Sequence, residues 1–258
     1  MTWIFQGHEY TVFNRNPLRE TNIEIRFHPI LSITDNREKL SKFQDLMRED
    51  FPVFEEGSVR TVSVDEIQNG TVQVDDKKVF SFSKKDKSQK VSLTDRSILI
   101  STKDHLDRNQ VTIALTQAQI FFEGVYGNFD LQRIGVRYIN VINLSEISEF
   151  LGEKVHWKDL VDESYVSQPR QLEDICNTAT RTEVRSDVKD GIGQLYLQYG
   201  LNLSQHSEHS DEFIIDLDRY TENVDGADIY ATSMEFIQDI YCLFVDMAGP
   251  KLVEWMKR

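Results

Sequence analysis

The spacing of hydrophobic residues predicts a strand, a helix and several further strands in the first half of the chain. Residues 22–27 (Asn-Ile-Glu-Ile-Arg-Phe) alternate apolar and polar side chains, the period of a half-buried strand. Leu40, Phe43, Leu46 and Met47 recur at three- and four-residue steps, which predicts a helix capped by Thr34 or Asp35. Strand patterns follow at 59–64, 71–74, 79–82, 91–93, 98–100 and 111–115, with turns predicted at Asn69-Gly70 and at 75–78.

A similar succession of patterns begins again near residue 134. Segment 134–142 is rich in β-branched and aromatic residues and is the strongest predicted strand. Helical turns are predicted at 145–151 and 156–162, and strands at 175–184, 194–203 and 213–217. The best helical pattern, from 228 to 255, has Asp228 as its cap and is interrupted by Gly249-Pro250.

Runs of strands punctuated by single helices predict an α+β fold with antiparallel sheet and a closing amphipathic helix. The repeated order suggests two related halves, 1–130 with lysine-bearing hairpins and 131–258 with most of the acidic residues. Segment 117–126 fits either a helix or a strand, because short apolar runs do not settle the period.

Charge is distributed unevenly along the 258 residues, whose formal net charge is −14. Residues 145–258 contain 23 acidic and 10 basic side chains. Such a surface attracts basic partners or cations and repels nucleic-acid backbones. The sequence therefore predicts a protein partner with a basic surface, bound through Glu208, Glu212 and Glu222, and disfavours nucleic-acid binding by this half. A solvated face kept soluble by its charge is the alternative.

Several classes of protein are disfavoured by composition. Two cysteines, Cys176 and Cys242, are too few for a disulfide framework, and both are predicted to be buried thiols. The first residues lack the charged and apolar regions of a signal peptide, and the longest uncharged run is too short to cross a bilayer. We therefore expect a cytoplasmic protein with no membrane association.

The strand pattern at 214–218 provides one candidate chemical site. Asp216 and Asp218 alternate with Ile215 and Leu217, so both carboxylates point to one face. Such a pair could hold a divalent metal ion for phosphoryl transfer. Either carboxylate could instead pair with Arg137, which we expect on the opposite face of its strand from Asn140.

Six lysines lie on and between the predicted strands from 77 to 90. Protection of strand edges against aggregation is the simpler explanation of this cluster. Contact with nucleic acid through Lys84 and Lys85 is the alternative, with Phe80 and Phe82 either stacking on bases or packing in the core.

Short segments of the chain also suggest a family. Residues 16–20 before the first strand, 134–142, 214–218 and the closing helix occur in an order that resembles a sporadically distributed, functionally uncharacterised bacterial family of about this length. Thr21 and the aromatic-rich segment 117–133 depart from the family pattern. The resemblance implies an accessory module such as antiphage defence or toxin control, and it supplies no catalytic residues.

Three functional hypotheses follow. The first is a non-enzymatic binding or regulatory component that needs no cofactor, since P-loop, dinucleotide, nucleophile-elbow and kinase motifs are absent from the sequence. The second is a metal-dependent phosphoryl-transfer enzyme or nuclease using Asp216 and Asp218. The third is a nucleotide or nucleic-acid sensor using the lysine-bearing strands. A homodimer is plausible if Tyr230, Phe236 and Trp255 form an exposed apolar face.

Overall fold

A computed structural model describes residues 7–62, 74–103, 107–166, 181–188, 193–202, 211–222 and 224–258. In this part of the chain, nine antiparallel strands form one sheet in the order β2-β3-β4-β5-β1-β6-β9-β8-β7. The strands are β1 (Leu18–Phe27), β2 (Val53–Val62), β3 (Val74–Ser83), β4 (Gln89–Leu93), β5 (Ser97–Lys103), β6 (Leu131–Asn143), β7 (Thr182–Asp187), β8 (Gln194–Asn202) and β9 (Glu212–Thr221). The predicted α+β class with antiparallel pairing is confirmed.

Helices occupy the connections and the end of the chain. They are α1 (Ser32–Asp35), α2 (Arg37–Met47), α3 (Arg108–Tyr126), α4 (Leu144–Leu151), α5 (Trp157–Leu160), α6 (Ile229–Met247) and α7 (Pro250–Lys257). Among the helices described, none is both long enough and apolar enough to span a bilayer.

The order of elements repeats about the centre of the sheet. In the first half β1 is followed by short helices, an antiparallel meander that returns beside β1, and the 19-residue helix α3. In the second half β6 is followed by short helices, a meander that returns beside β6, and the 19-residue helix α6. Antiparallel pairing of β1 with β6 joins the two predicted halves in one sheet.

The helices cover one face of the sheet, because alternate side chains of each strand are apolar. In β1, Ile23, Ile25 and Phe27 are fully buried, whereas Glu24 and Arg26 point to the opposite, open face. On the covered face Phe27 packs against Phe122 of α3, with ring centroids 5.1 Å apart. Phe80 and Phe82 of β3 also lie on this face, 1% and 0% exposed, so they belong to the core and do not stack on bases.

Three local predictions in the first half are wrong. The cap of α2 is Asn36, whose side chain accepts a hydrogen bond from the Lys39 amide, whereas the predicted caps Thr34 and Asp35 lie within α1. The strand predicted at 111–115 lies inside α3, whose buried residues Val111, Leu115, Ala118 and Phe122 follow the helical period, and the undecided segment 117–126 belongs to the same helix. The turn predicted at 75–78 is part of β3, where Asp75 pairs with Thr61 and Lys78 with Ser58. The turn predicted at Asn69-Gly70 lies outside the described residues.

The predicted closing helix is confirmed together with its cap and its interruption. The Asp228 side chain accepts a hydrogen bond from the Ala231 amide at the start of α6, and Gly249 separates α6 from α7. Phe236 and Trp255 are buried, and Tyr230 is exposed. The apolar stripe therefore packs mainly into the core. Cys242 is buried and free, as predicted, and Cys176 lies outside the described residues.

Candidate functional site on the open face of the sheet

Among the residues that the structure describes, charged side chains and no helices cover the open face of the central strands. Glu24 and Arg26 of β1, Arg137 of β6 and Asp216 of β9 all alternate with core residues on their own strands. Since β1, β6 and β9 are neighbours in the sheet, residues distant in sequence meet on one surface.

Arg137 and Asp216 form the most completely hydrogen-bonded pair on this face. Arg137 Nε donates to Asp216 Oδ1 at 2.8 Å and Nη2 donates to Oδ2 at 2.6 Å, so both carboxylate oxygens are occupied. The aspartate side chain is only 5% exposed, whereas the arginine side chain is 46% exposed. The predicted pairing is therefore confirmed, but the buried partner is the aspartate. Asn140 lies buried on the covered face, also as predicted.

A second arginine of β6 extends the network across β1 and β9. Arg133 Nη1 donates to Glu24 Oε2 at 2.8 Å, and Nη2 donates to Asp218 Oδ2 at 3.5 Å. Its guanidinium also lies 4.4 Å from the centre of the Tyr220 ring. Gly135 leaves room for this arrangement, because a Cβ there would lie only 3.0 Å from Arg133 Nη1.

These side chains border a groove of about 370 Å³ on the open face. Four of its lining side chains are basic and three are acidic, and Leu99, Gly135, Asn22 and Ser101 complete the wall. The basic residues are Arg26, Lys90, Arg133 and Arg137, and the acidic residues are Glu20, Glu24 and Asp218. The groove thus combines both charges with a small positive excess.

Burial and ion pairing shift the pKa values of two residues at the groove. Burial raises the pKa of Asp218 above its ordinary value, although Arg133 and Arg137 oppose this effect. The hydrogen bond to Asp216 raises the pKa of Arg137, so the arginine remains charged. The groove therefore has permanent positive charge beside a carboxylate of increased basicity.

The arginines determine what Asp216 and Asp218 can do chemically. The two carboxylates share a face, as the strand pattern predicts, but Asp216 already accepts two hydrogen bonds and Asp218 faces Arg133. In the described part of the chain, no three acidic, histidine or cysteine side chains converge as a metal-ligand set. A metal ion bound by this pair would have to displace Arg137 from Asp216.

Of the three predicted partner-binding glutamates, the two that the structure describes are far apart. Glu212 lies at the start of β9 and Glu222 just after its end, roughly 30 Å apart because a strand rises about 3.4 Å per residue. Glu212 is half-buried and accepts a hydrogen bond from Asn202, whereas Glu222 is exposed. Glu208 lies outside the described residues.

Folding uses several carboxylates of the acidic half. Asp216 pairs with Arg137, Asp239 with Arg219, and Asp246 with His8, with closest approaches of 2.6, 3.0 and 2.6 Å. Exposed carboxylates remain at several places in this half, and three of them, Glu222, Asp225 and the helix cap Asp228, lie in the connection between β9 and α6. We call these three residues the acidic connection.

The lysine cluster is spread over three places in and beside the sheet. Lys77 and Lys78 lie on the portion of β3 that pairs only with β2, which agrees with protection of a strand edge. Lys84 and Lys85 lie in the turn between β3 and β4, and the Lys84 ammonium is 6.0 Å from the Phe51 ring. Lys90 is separate from them and lines the open-face groove.

One buried ion pair was not predicted from the sequence. Arg219 and Asp239 are 2% and 6% exposed on the covered face, where Arg219 Nε donates to Asp239 Oδ2 at 3.0 Å. Arg219 also donates to the backbone carbonyls of Gln194 and Tyr220 and lies 4.4 Å from the Phe236 ring. Its position two residues beyond Leu217 and four beyond Ile215 puts it on the same, core-facing side of the strand, which could have indicated its burial.

Comparison with models of known protein families finds no match to this chain, and no curated protein is significantly similar to it. Its function is therefore inferred from the arrangement of its own residues.

Proposed function

We propose that this protein is a non-enzymatic binding or regulatory component of a bacterial accessory module, and that it engages a basic protein partner through the acidic connection. The observation that carries the proposal is that Glu222, Asp225 and Asp228, spaced three residues apart in one connection, are all exposed. In the described part of the chain none of the three forms an ion pair. Their charge is therefore available to a partner.

Electrostatic attraction of this kind mainly increases the association rate and selects a partner with complementary charge. Because the carboxylates are exposed, the attraction decreases as salt increases. The connection between β9 and α6 thus contributes a small acidic docking surface, whereas Asp216, Asp239 and Asp246 are paired within the fold.

The proposal is tested by affinity capture from the native host at low and high salt, followed by mass spectrometry. The informative variant is Glu222→Lys/Asp225→Lys, and the control is Glu49→Lys/Glu149→Lys, which changes the net charge equally at exposed positions elsewhere. We expect a stoichiometric basic protein that only the first variant loses. Equal retention by both variants would refute the acidic connection as the docking surface.

A second candidate function is a sensor of an anionic ligand such as a nucleotide, bound in the open-face groove. It is favoured by one observation: exposed Lys90 lines the groove together with Arg26, Arg133 and Arg137. The original hypothesis placed the contact at Lys84 and Lys85, which lie in a neighbouring turn. Titration of a nucleotide into the variants Lys90→Glu and Lys84→Glu/Lys85→Glu separates the two locations. If both variants bind the nucleotide as the native protein does, neither the groove nor the turn is the binding site.

A further inference from the structure

The open-face groove contains a basic and an acidic side chain that are neighbours but do not bond to each other. Arg137 of β6 and Asp218 of β9 lie directly opposite in the β6–β9 ladder, and both line the groove. The arginine donates to Asp216, and the aspartate faces Arg133. Because opposite positions of an antiparallel pair hold their side chains close together, one small ligand can contact both residues.

Arg137 has one nitrogen to offer to such a ligand. Its Nε and Nη2 donate to Asp216, and its Nη1 has no acceptor among the residues that the structure describes. The arginine side chain is 46% exposed, so this end of the guanidinium is open to the groove. Arg137 can therefore bind a carboxylate without giving up Asp216.

Asp218 has one oxygen to offer. The hydrogen bond from Arg133 is 3.5 Å long and ends on Oδ2, and Oδ1 accepts none from the described part of the chain. The side chain is 23% exposed, and Oδ1 is not one of the sealed, unpaired polar atoms, so a group in the groove can reach it. Since burial raises the pKa of Asp218, its ionised form gains from a cation that replaces the lost water.

We propose that the open-face groove binds a free α-amino acid with an acidic side chain, its α-carboxylate at Arg137 Nη1 and its ammonium group at Asp218 Oδ1. This inference rests on the second candidate function, which places an anionic ligand in the groove, and it names the class of that ligand. An α-amino acid carries both charged groups on one carbon, in keeping with two adjacent side chains of opposite charge. A nucleotide has no ammonium group for Asp218.

The far wall of the groove selects the side chain of the ligand. Lys90 of β4 is exposed and has no ion pair or hydrogen bond with any described residue. In the strand register, only the short side chains of Ser101 and Asn22 separate Lys90 from Arg137. These strands are three spacings apart, roughly 14 Å, which two long side chains and a ligand of the size of glutamate can span. Lys90 therefore favours a second carboxylate and disfavours a basic side chain.

L-Glutamate and glutarate test the role of the ammonium group, because glutarate has the same two carboxylates without it. Ligand-observed NMR would compare their binding to the full-length protein. We expect glutamate to bind about 10-fold or more tightly, the scale of a hydrogen bond between charged groups. Absence of glutamate binding at millimolar concentration, or equal binding of the two compounds, would overturn the proposal.

Asp218→Asn tests which residue binds the ammonium group. Asp225→Asn is the control, since it removes the same charge at an exposed position outside the groove. The preference for glutamate over glutarate should be lost in Asp218→Asn and retained in Asp225→Asn. If Asp218→Asn retains it, Asp218 does not bind the ammonium group and the proposal is wrong.

Lys90→Glu tests the far wall without changing Arg137 or Asp218. Because Lys90 is exposed, this variant should fold normally, and Lys85→Glu makes the same change at an exposed position in the neighbouring turn. We expect Lys90→Glu to prefer L-lysine to L-glutamate and Lys85→Glu to keep the preference for glutamate. Equal glutamate binding by the two variants would place the site elsewhere.

A nucleotide titration in parallel separates this inference from the function on which it rests. If the native protein binds the nucleotide but not glutamate, and Lys90→Glu abolishes nucleotide binding, the groove is an anion site and the amino acid ligand is refuted. Glutamate binding that depends on both Asp218 and Lys90 supports the amino acid ligand.

Discussion

Arg137 donates two hydrogen bonds to Asp216 although the residue directly opposite it in the β6–β9 ladder is Asp218. The arginine therefore reaches diagonally across the open face. This geometry makes the pair asymmetric, because Asp216 is almost fully buried and Arg137 is nearly half exposed. Loss of the arginine would leave a buried carboxylate without its main donor, whereas loss of the aspartate would leave an arginine in contact with water.

We therefore expect Arg137→Ala to lower the free energy of unfolding by about 1–3 kcal/mol, less than for a fully buried pair because the guanidinium is partly solvated. Urea denaturation measures this change. Arg37→Ala provides the control, since Arg37 and its partner Glu56 are 67% and 37% exposed and such pairs contribute only about 0–1 kcal/mol. Equal losses in the two variants would contradict the asymmetry.

The Arg137–Asp216 pair should also prevent the binding of divalent cations at Asp216. Because Arg137 occupies both oxygens of Asp216, we expect calorimetry to detect no Mn²⁺ binding at the Asp216–Asp218 pair of the native protein. Arg137→Ala removes the competing cation and should produce weak Mn²⁺ uptake that a further Asp216→Asn substitution abolishes. Uptake by the native protein that Asp216→Asn abolishes would instead support the metal-dependent enzyme.

Stability should depend on pH through the buried Asp239. Burial raises its pKa to about 7, opposed by the hydrogen bond and charge of Arg219 and reinforced by the nearby Glu235. The folded state then retains a proton that the unfolded state releases near its ordinary pKa of 3.8. Folding stability contributed by this residue is therefore highest at low pH and decreases as pH rises towards 7.

Denaturation of the native protein and Asp239→Asn across this range isolates the contribution, since other groups titrate in both. Relative to the variant, the native protein should lose on the order of 2–4 kcal/mol between about pH 4 and 7. A constant difference between the two proteins would show that Arg219 keeps Asp239 ionised throughout.

Gly193, the residue just before β8, has a backbone conformation and surroundings that both favour glycine. Its φ of +83° is rarely adopted by other residues, and a Cβ would lie 2.0 Å from the Tyr220 carbonyl oxygen. Gly193→Ala should therefore lower the free energy of unfolding by about 2–4 kcal/mol, through backbone strain and overlap with β9. At Gly57 a Cβ has open space and φ is ordinary, so Gly57→Ala should change stability by less than about 1 kcal/mol in the same denaturation assay.

The period of apolar residues along the sequence predicts many of the strands and helices, because the backbone of each element fixes the directions of its side chains. Alternation located β1 and placed Asp216 and Asp218 on one face, and the β-branched and aromatic residues of 134–142 located β6. The helical period together with Asp228 and Gly249-Pro250 located α6 and α7. A short apolar run such as 111–115 fits both periods, so its pattern does not distinguish a strand from a helix. Contacts such as that of Phe122 with Phe27 show that it is part of a helix packed on the sheet.

Strand order was decided only by the tertiary structure. Sequence alone left open whether Arg137 pairs with Asp216 or Asp218, and it treated the carboxylates of the second half as a common acidic surface. Folding places β6 beside β9 and α6 over the sheet, so Arg137 and Arg219 neutralise Asp216 and Asp239, while Glu212 and Glu222 are separated by the length of β9. The net charge of a segment follows from its sequence. Whether each charged side chain can interact with a partner depends on its burial and on the residues that the fold places next to it.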